Sequence, residues 1–175
     1  MVDYSTWKVT DLINEINRLK SQKKYGLVWE DEPETVSLNA KENYPVIREV
    51  TDRRIESDTN NPTNLIIEGD NYDALRVLSY THKGKVDVIY IDPPYNTGNT
   101  DFKYNDKYVD KEDSYRHSKW LSFMNKRLTL TKSLLAEKGL ILISIGNDEF
   151  AQLKLLCDTI YGETSEQYLL YRVSL

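Results

Sequence analysis

Val86-Asp87-Val88-Ile89-Tyr90-Ile91-Asp92-Pro93-Pro94-Tyr95 is an apolar run that ends in an acid, two prolines and a tyrosine. Its β-branched and aromatic residues predict a buried strand from Val86 to Ile91. The prolines have no amide hydrogen and a fixed φ, so they cannot continue a sheet ladder. The chain therefore leaves the strand in a stiff turn, with Asp92 displayed at its end.

The same pattern extends to either side. Upstream, Leu65-Ile66-Ile67 reads as a short buried strand ending at Glu68-Gly69-Asp70. A helix follows, with Leu75 and Leu78 on one face. Downstream, a long polar loop runs from Pro93 to about Ser118. A helix is expected from Lys119 to about Glu137, with the stripe Leu121, Met124, Leu128, Thr131, Leu135, stopped by Lys138-Gly139. Leu140 to Ile145 reads as a third strand. A last helix carries Phe150, Leu153, Cys157 and Ile160 and stops near Gly162. Alternating strands and helices imply an α/β fold with a parallel sheet and right-handed crossovers. Such sheets bind ligands beyond the C-terminal ends of their strands. Glu68-Gly69-Asp70, Asp92 to Tyr95, and Gly146-Asn147-Asp148-Glu149 should then meet on one rim.

Ahead of this unit, Val9, Leu12, Ile13, Ile16 and Leu19 have helical spacing. Lys23-Lys24-Tyr25-Gly26 leads to the short apolar run Leu27-Val28-Trp29. From Glu30 to about Asp58 the chain is acidic and irregular. The connector Ser57 to Thr63 is polar and contains Pro62. The expected organisation is an N-terminal helix and extended acidic arm (1–63), a compact unit (64–162) and a short tail (163–175).

Composition excludes several classes. Of 175 residues, 39% are apolar and 29% charged, which fits a soluble globular domain. No apolar run approaches the roughly 18 residues of a membrane span. Met1 to Ser5 has no basic start leading into an apolar stretch, so a secretory signal is not expected. The single cysteine, Cys157, gives no disulfide framework and favours a reducing compartment. Two distant histidines, His82 and His117, leave almost no material for a Cys/His metal site. A net charge of -5 argues against nucleic-acid binding by bulk attraction. Yet Arg116, Lys119, Lys126, Arg127, Lys132 and Lys138 face only Glu137 in that segment. It reads as a phosphate-facing surface or as a solvated helix face.

The motif has a chemistry. An acid at a strand end also occurs in nucleotide hydrolases, but those need a glycine-rich loop ending in Gly-Lys-Ser or Gly-Lys-Thr, which is absent. Asp92 is an acceptor-only group, and backbone carbonyls beside two prolines remain available as acceptors. Acceptors suit a group with two N–H donors, such as the exocyclic amine of adenine or cytosine. That amine is a poor nucleophile while its lone pair is delocalised into the ring. Two accepted hydrogen bonds favour a pyramidal nitrogen that can attack a methyl group on a sulfonium. Tyr95 offers a flat face for stacking, and a base inside a duplex must first be flipped out. The bland alternative is a strand followed by a proline-rich turn, with Tyr95 as packing.

Ile91 to Gly98 resembles the catalytic motif of amino-methylating DNA methyltransferases of the beta arrangement. More closely, the chain resembles the modification (Mod) subunit of Type III restriction-modification systems. The blocks that carry this are Tyr25 to Glu30, Asn64 to Asn71, Asp92 to Gly98, His117 to Met124 and Gly139 to Ile145. The resemblance runs from about Tyr25 to Gly162. It implies an S-adenosylmethionine-dependent methyltransferase fold, a Rossmann-like parallel sheet that is incomplete here, with 64–162 as its catalytic half. It implies transfer of a methyl group from S-adenosylmethionine to adenine in double-stranded DNA. It also implies a homodimer and a restriction (Res) subunit as partners of the full-length form, in the cytoplasm. Carried over by residue, Asp92 and the Pro93 carbonyl hold the target amine, Pro94 stiffens the turn, and Tyr95 stacks on the base. Asp70, with Asn71 beside it, lies near the adenosine part of the cofactor, although helix capping explains Asp70 equally well. Asn96, Thr97 and Gly98 shape the cofactor's amino-acid pocket. Phe102, Tyr104 and Tyr108 touch DNA or form a satellite cluster, and Trp120 belongs to the core.

The chain also departs from that family. Its cofactor glycine motif, Phe-x-Gly-x-Gly, follows a target-recognition region, and neither occurs here. No two of the seven glycines have Gly-x-Gly spacing. Ile145-Gly146-Asn147-Asp148-Glu149 stands where paired acids are commoner. Glu163 to Leu175 does not resemble the family's continuation. A truncated product is expected, inactive alone. A non-catalytic fragment, or an amino-methyltransferase acting on RNA or protein, remains the alternative.

Overall fold

The computed structural model describes residues 5–21, 27–55 and 63–173. Met1 to Tyr4, Lys23 to Gly26, the connector from Ser57 to Pro62, the last two residues and the side chain of Leu19 lie outside the described residues.

Helix α1 (Val9–Ser21) forms where the apolar spacing places it. Its stripe stays largely in water, with Val9, Ile13 and Ile16 all exposed. The arm contains one short helix, α2 (Thr35–Asn39), and a 3-10 turn at Thr51–Arg53. An irregular segment has no ladder for its backbone groups, so side chains of the body must satisfy them. The Ser122 hydroxyl accepts from the Glu32 amide, Asn105 Oδ1 from the Thr35 amide, and Tyr104 donates to the Glu32 carbonyl.

Helix α3 (Asn71–Thr81) leads through a tight turn at Gly84 into β1 (Val86–Ile91). After β1 the long loop contains a two-stranded hairpin, β2 (Lys103–Tyr104) and β3 (Lys107–Tyr108), turned by Asn105 and Asp106. Both turn residues have positive φ, which matches the right-handed twist of a two-residue hairpin. Then follow α4 (Arg116–Leu134), β4 (Leu135–Ile145), α5 (Phe150–Tyr161) and β5 (Tyr168–Arg172). The sheet is parallel, in the order β1-β4-β5. Both crossovers step in the same direction, so α4 and α5 fall on one face. Trp120, Leu128, Ile141, Ile143, Ile145, Leu153 and Leu156 form the core between them and the sheet. This is an α/β architecture built on a three-stranded parallel sheet.

Three expectations need correction. Leu65-Ile66-Ile67 is not a strand: the segment is extended loop, with Ile66 92% exposed. A strand needs a hydrogen-bonded neighbour, and this run has none among the described residues. The helix expected to reach Glu137 ends at Leu134, so Lys138-Gly139 does not stop it. Those residues lie in the irregular start of β4, where the register against β1 shifts between Val86 and Val88. Gly139 is needed there, since a Cβ would come within 2.8 Å of the Val86 carbonyl. Finally, the segment expected as a tail supplies β5, paired with β4 from Ile141↔Tyr168 to Ile145↔Arg172.

Among the described residues nothing covers the second face of the sheet. Val88, Tyr90, Leu169 and Tyr171 alternate onto it and are 60%, 68%, 55% and 70% exposed. Parallel sheets are ordinarily covered on both faces.

Candidate active site

Asp92 follows the last residue of β1 and is exposed. Ser144, near the C-terminal end of the neighbouring β4, donates its hydroxyl to Asp92 Oδ1 at 2.7 Å. That carboxylate oxygen is thereby fixed. The Tyr95 hydroxyl also reaches the Asp92 carboxylate. Desolvation first, and this contact second, raise the phenol above its usual pKa. Gly146, just past β4, lies against the Tyr95 ring: a Cβ there would meet it at 3.1 Å.

The two prolines differ. Pro93 is buried, and none of the described donors reaches its carbonyl. The Pro94 carbonyl is occupied, because the Trp120 indole donates to it at 2.7 Å. Of the carbonyls expected to be available, Pro94's is taken. Trp120 is core, as expected, with no exposed surface. It also ties the motif to α4, a role that its apolar spacing does not reveal.

Asn96 has no exposed surface and a left-handed backbone, φ 57°. Its amide nitrogen donates to Glu149 Oε1 at 2.5 Å and to the Arg116 carbonyl at 3.3 Å. The side chain is thus turned to the interior. The Thr97 amide donates to Asp101 Oδ2 at 2.9 Å. Gly98, at φ 82°, lies so close to Lys111 that a Cβ would be 2.6 Å from that side chain. An open concavity of about 320 Å3 lies beside them, lined by Thr97, Asn99, Lys111, Asn147 and Asp148 among others.

Asp70 caps α3, accepting from the Tyr72 amide at 2.8 Å. Capping is therefore one role of this side chain, and a second ligand is not excluded by it. Asn71 Oδ1 accepts from Arg127 Nε at 2.6 Å. Arg127 also makes a forked pair with Glu34, at 3.0 and 2.8 Å, and stacks 3.5 Å above the Phe123 ring centre. Both members of that pair are buried. The cations of 116–138 are thus largely used inside the protein: Lys119 pairs with Asp113 at 2.6 Å, and Lys132 donates to the Ile160 carbonyl. In the long loop, Phe102 and Tyr104 are buried and Phe102 meets Phe123 edge-on, while Tyr108 is exposed.

Glu149 lies in the rim block Gly146 to Glu149 that the sequence marks, which assigns it no role of its own. It opens α5 and is fully buried. Burial pushes its carboxyl up to about 8, against the opposing pull of the Asn96 bond and Arg116. Glutamate at a helix start is ordinary, so only burial distinguishes it.

Residues 86–168 match the model of a family described as DNA methylase. The Mod subunit of a probable Type III restriction-modification enzyme, HindVI, from Haemophilus influenzae is 50% identical over 105 residues. That match covers 60% of this chain and 13% of the relative. The EcoP15I Mod subunit of Escherichia coli is 33% identical over 179 residues, covering 89% of this chain and 28% of the relative. The Type II methyltransferase M.KpnI of Klebsiella pneumoniae is 45% identical over 96 residues, covering 54% of this chain and 23% of the relative. The chain thus spans a quarter or so, or less, of the relatives it matches. Residues 86–168 thus match the DNA methylase family, and the similarity to a Type III Mod subunit reaches over most of the chain's length.

Proposed function

We propose that this chain carries the base-holding half of an S-adenosylmethionine-dependent methyltransferase acting on the amino group of adenine in DNA, in a Type III restriction-modification system. The observation that carries this reading is the exposed Asp92 carboxylate at the C-terminal end of a parallel strand, beside the unclaimed Pro93 carbonyl. The amine's two protons would be accepted by the carboxylate oxygen that Ser144 leaves and by the Pro93 carbonyl. As the nitrogen becomes pyramidal and gains positive charge, these acceptors hold it more strongly than in the ground state. Tyr95 would stack on the flipped base.

The residues present fit one end of the cofactor. Asp70 is half exposed at the start of α3, and a carboxylate there suits ribose hydroxyls. Asn71, Asn96, Thr97 and Gly98 act in this reading through the shape of the loop and not through free side chains. No glycine pair has the spacing of a close-approach turn for the amino-acid end. When bound, the sulfonium supplies an electrophilic methyl group. The bare sheet face and the free edge of β1 support a longer polypeptide that completes the fold. The unit then runs from about residue 64 through 162 with β5 added, preceded by the N-terminal helix and arm of 1–63, of which Trp29 to Asn43 are held onto it by hydrogen bonds. Duplex DNA, a second copy and a Res subunit are its partners in this reading, in the cytoplasm. Among the described residues no helix is long and apolar enough to cross a membrane.

Two measurements test the reading. The full-length methyltransferase, meaning this chain joined to the polypeptide that carries the cofactor's glycine motif, is expected to produce methyladenine in duplex DNA. Mass spectrometry of nucleosides decides it: methylcytosine without methyladenine, or methylation of RNA alone, overturns the substrate. Residues 1–175 alone are expected to bind S-adenosylmethionine weakly or undetectably. Micromolar binding in calorimetry, about -8 kcal/mol, would mean that the cofactor site lies within these residues.

A further inference from the structure

We propose that Glu149 is a positioning residue for methyl transfer: from the start of α5 it holds Asn96, and through Asn96 the backbone of the Asp92–Tyr95 motif. The proposal rests on the reading of that motif as the amine-binding element.

The motif is fastened along its length. Ser144 holds Asp92, Gly146 lies against Tyr95, and Trp120 holds the Pro94 carbonyl. Asn96 is the next residue and the most constrained. Asparagine is one of the few residues with a Cβ that adopts a left-handed backbone readily, which suits Asn96 to this turn. Glu149 Oε1 is the buried acceptor for its amide, at 2.5 Å. The same oxygen meets His117 Nδ1 at 2.7 Å. Arg116 Nε donates to His117 Nε2 at 3.2 Å, so the proton of a neutral ring lies on Nδ1 and is given to Glu149. One oxygen thus joins the loop after the motif to α4.

The other oxygen is what sets this cluster apart. Glu149 Oε2 and Asn96 Oδ1 are both buried without a hydrogen-bond partner, as is one Arg116 nitrogen. Orphan polar atoms are costly in an interior. A proton on Oε2 supplies a donor that a carboxylate lacks. The groups facing Glu149 are Arg116 and His117 from α4, Asn96 from the loop and Asp148 beside it, with Gln152 of α5 near the His117 ring. Desolvation outweighs the attraction of the Arg116 cation, and it also lowers the His117 pKa, so Arg116 is the one full counter-charge among these groups. Below about pH 8 Glu149 is therefore neutral, with a proton to donate from Oε2. Ionisation above that pH removes the donor on Oε2 and strengthens the pull of Asn96 and Arg116 on the carboxylate, so Asn96 is held differently from the neutral state.

The test compares wild type, Glu149→Gln and Glu149→Ala in the full-length methyltransferase. Glu149→Ala should lower turnover by roughly a hundredfold, the scale of a small misplacement of reacting groups, with DNA affinity much less affected. Glu149→Gln keeps Oε1 and a neutral group, so it should recover most of the turnover and remove the fall in rate above about pH 8. Native turnover in Glu149→Ala, or an unchanged alkaline limb in Glu149→Gln, would overturn the positioning role. A readout independent of activity is the indole N–H of Trp120, which reports the Pro94 carbonyl. In the 175-residue chain its NMR shift should titrate near pH 8 in wild type and not in Glu149→Gln. An indole signal indifferent to both changes sinks the inference even if the substrate proves to be something else. Absent methyladenine with a titrating indole sinks the functional reading alone.

Discussion

Asp92→Ala lowers the turnover of the full-length methyltransferase by roughly a hundred- to a thousandfold, while its affinity for duplex DNA stays close to native. The removed acceptor faces the reacting nitrogen. Its interaction strengthens only as that nitrogen gains positive charge, so the loss falls on the transition state. DNA affinity rests on other contacts, chiefly to phosphates. Single-turnover rates and DNA titrations on the same preparation separate the two effects. A loss confined to DNA affinity would make Asp92 a binding residue and not a catalytic one.

Arg127→Ala is expected to destabilise the chain by about 3–5 kcal/mol, the cost of leaving a buried charge unpaired. Glu34 would lose a forked partner while remaining in the interior. The same change frees Asn71 Oδ1 and removes the guanidinium stacked on Phe123. It therefore unfastens the arm and α3 from α4 together. Urea unfolding measures this as a lower midpoint. Replacing both partners with apolar residues, Arg127→Met with Glu34→Leu, should recover much of the loss. If Arg127→Ala unfolded at the native urea concentration, the pair would not be holding the arm.

What was legible in the sequence were elements with their own period or punctuation. Val86–Ile91 reads as a strand because its residues suit a buried ladder and two prolines end it. α5 is bounded by its apolar spacing and by Gly162. Leu65-Ile66-Ile67 misleads because apolar character reports an appetite for burial and carries no information about whether a neighbour is present. Tyr168–Arg172 was missed for the complementary reason. It is five residues long, three of its side chains are exposed, and its strand character comes from pairing with β4. At the site, Asp92 and Tyr95 announce themselves by their place after a strand. Glu149, Trp120, Ser144 and Arg127 do not, since each looks like an ordinary helix, core or strand residue. Their roles arise from contacts spanning 53, 26, 52 and 93 positions for Glu149–Asn96, Trp120–Pro94, Ser144–Asp92 and Arg127–Glu34. Asn96, read as part of a cofactor pocket, has a fully buried side chain bonded to Glu149, a contact that the sequence does not reveal.

The most direct measurement is the turnover of Asp92→Asn in the full-length methyltransferase on duplex DNA. The substitution keeps the size and one acceptor oxygen, which can still receive the Ser144 hydroxyl. It replaces the other oxygen with N–H donors that would face the protons of the target amine. Methyladenine formation should fall by at least roughly a hundredfold, with folding and DNA affinity preserved. Near-native turnover in a normally folded Asp92→Asn protein would contradict the assignment of Asp92 as the catalytic acceptor.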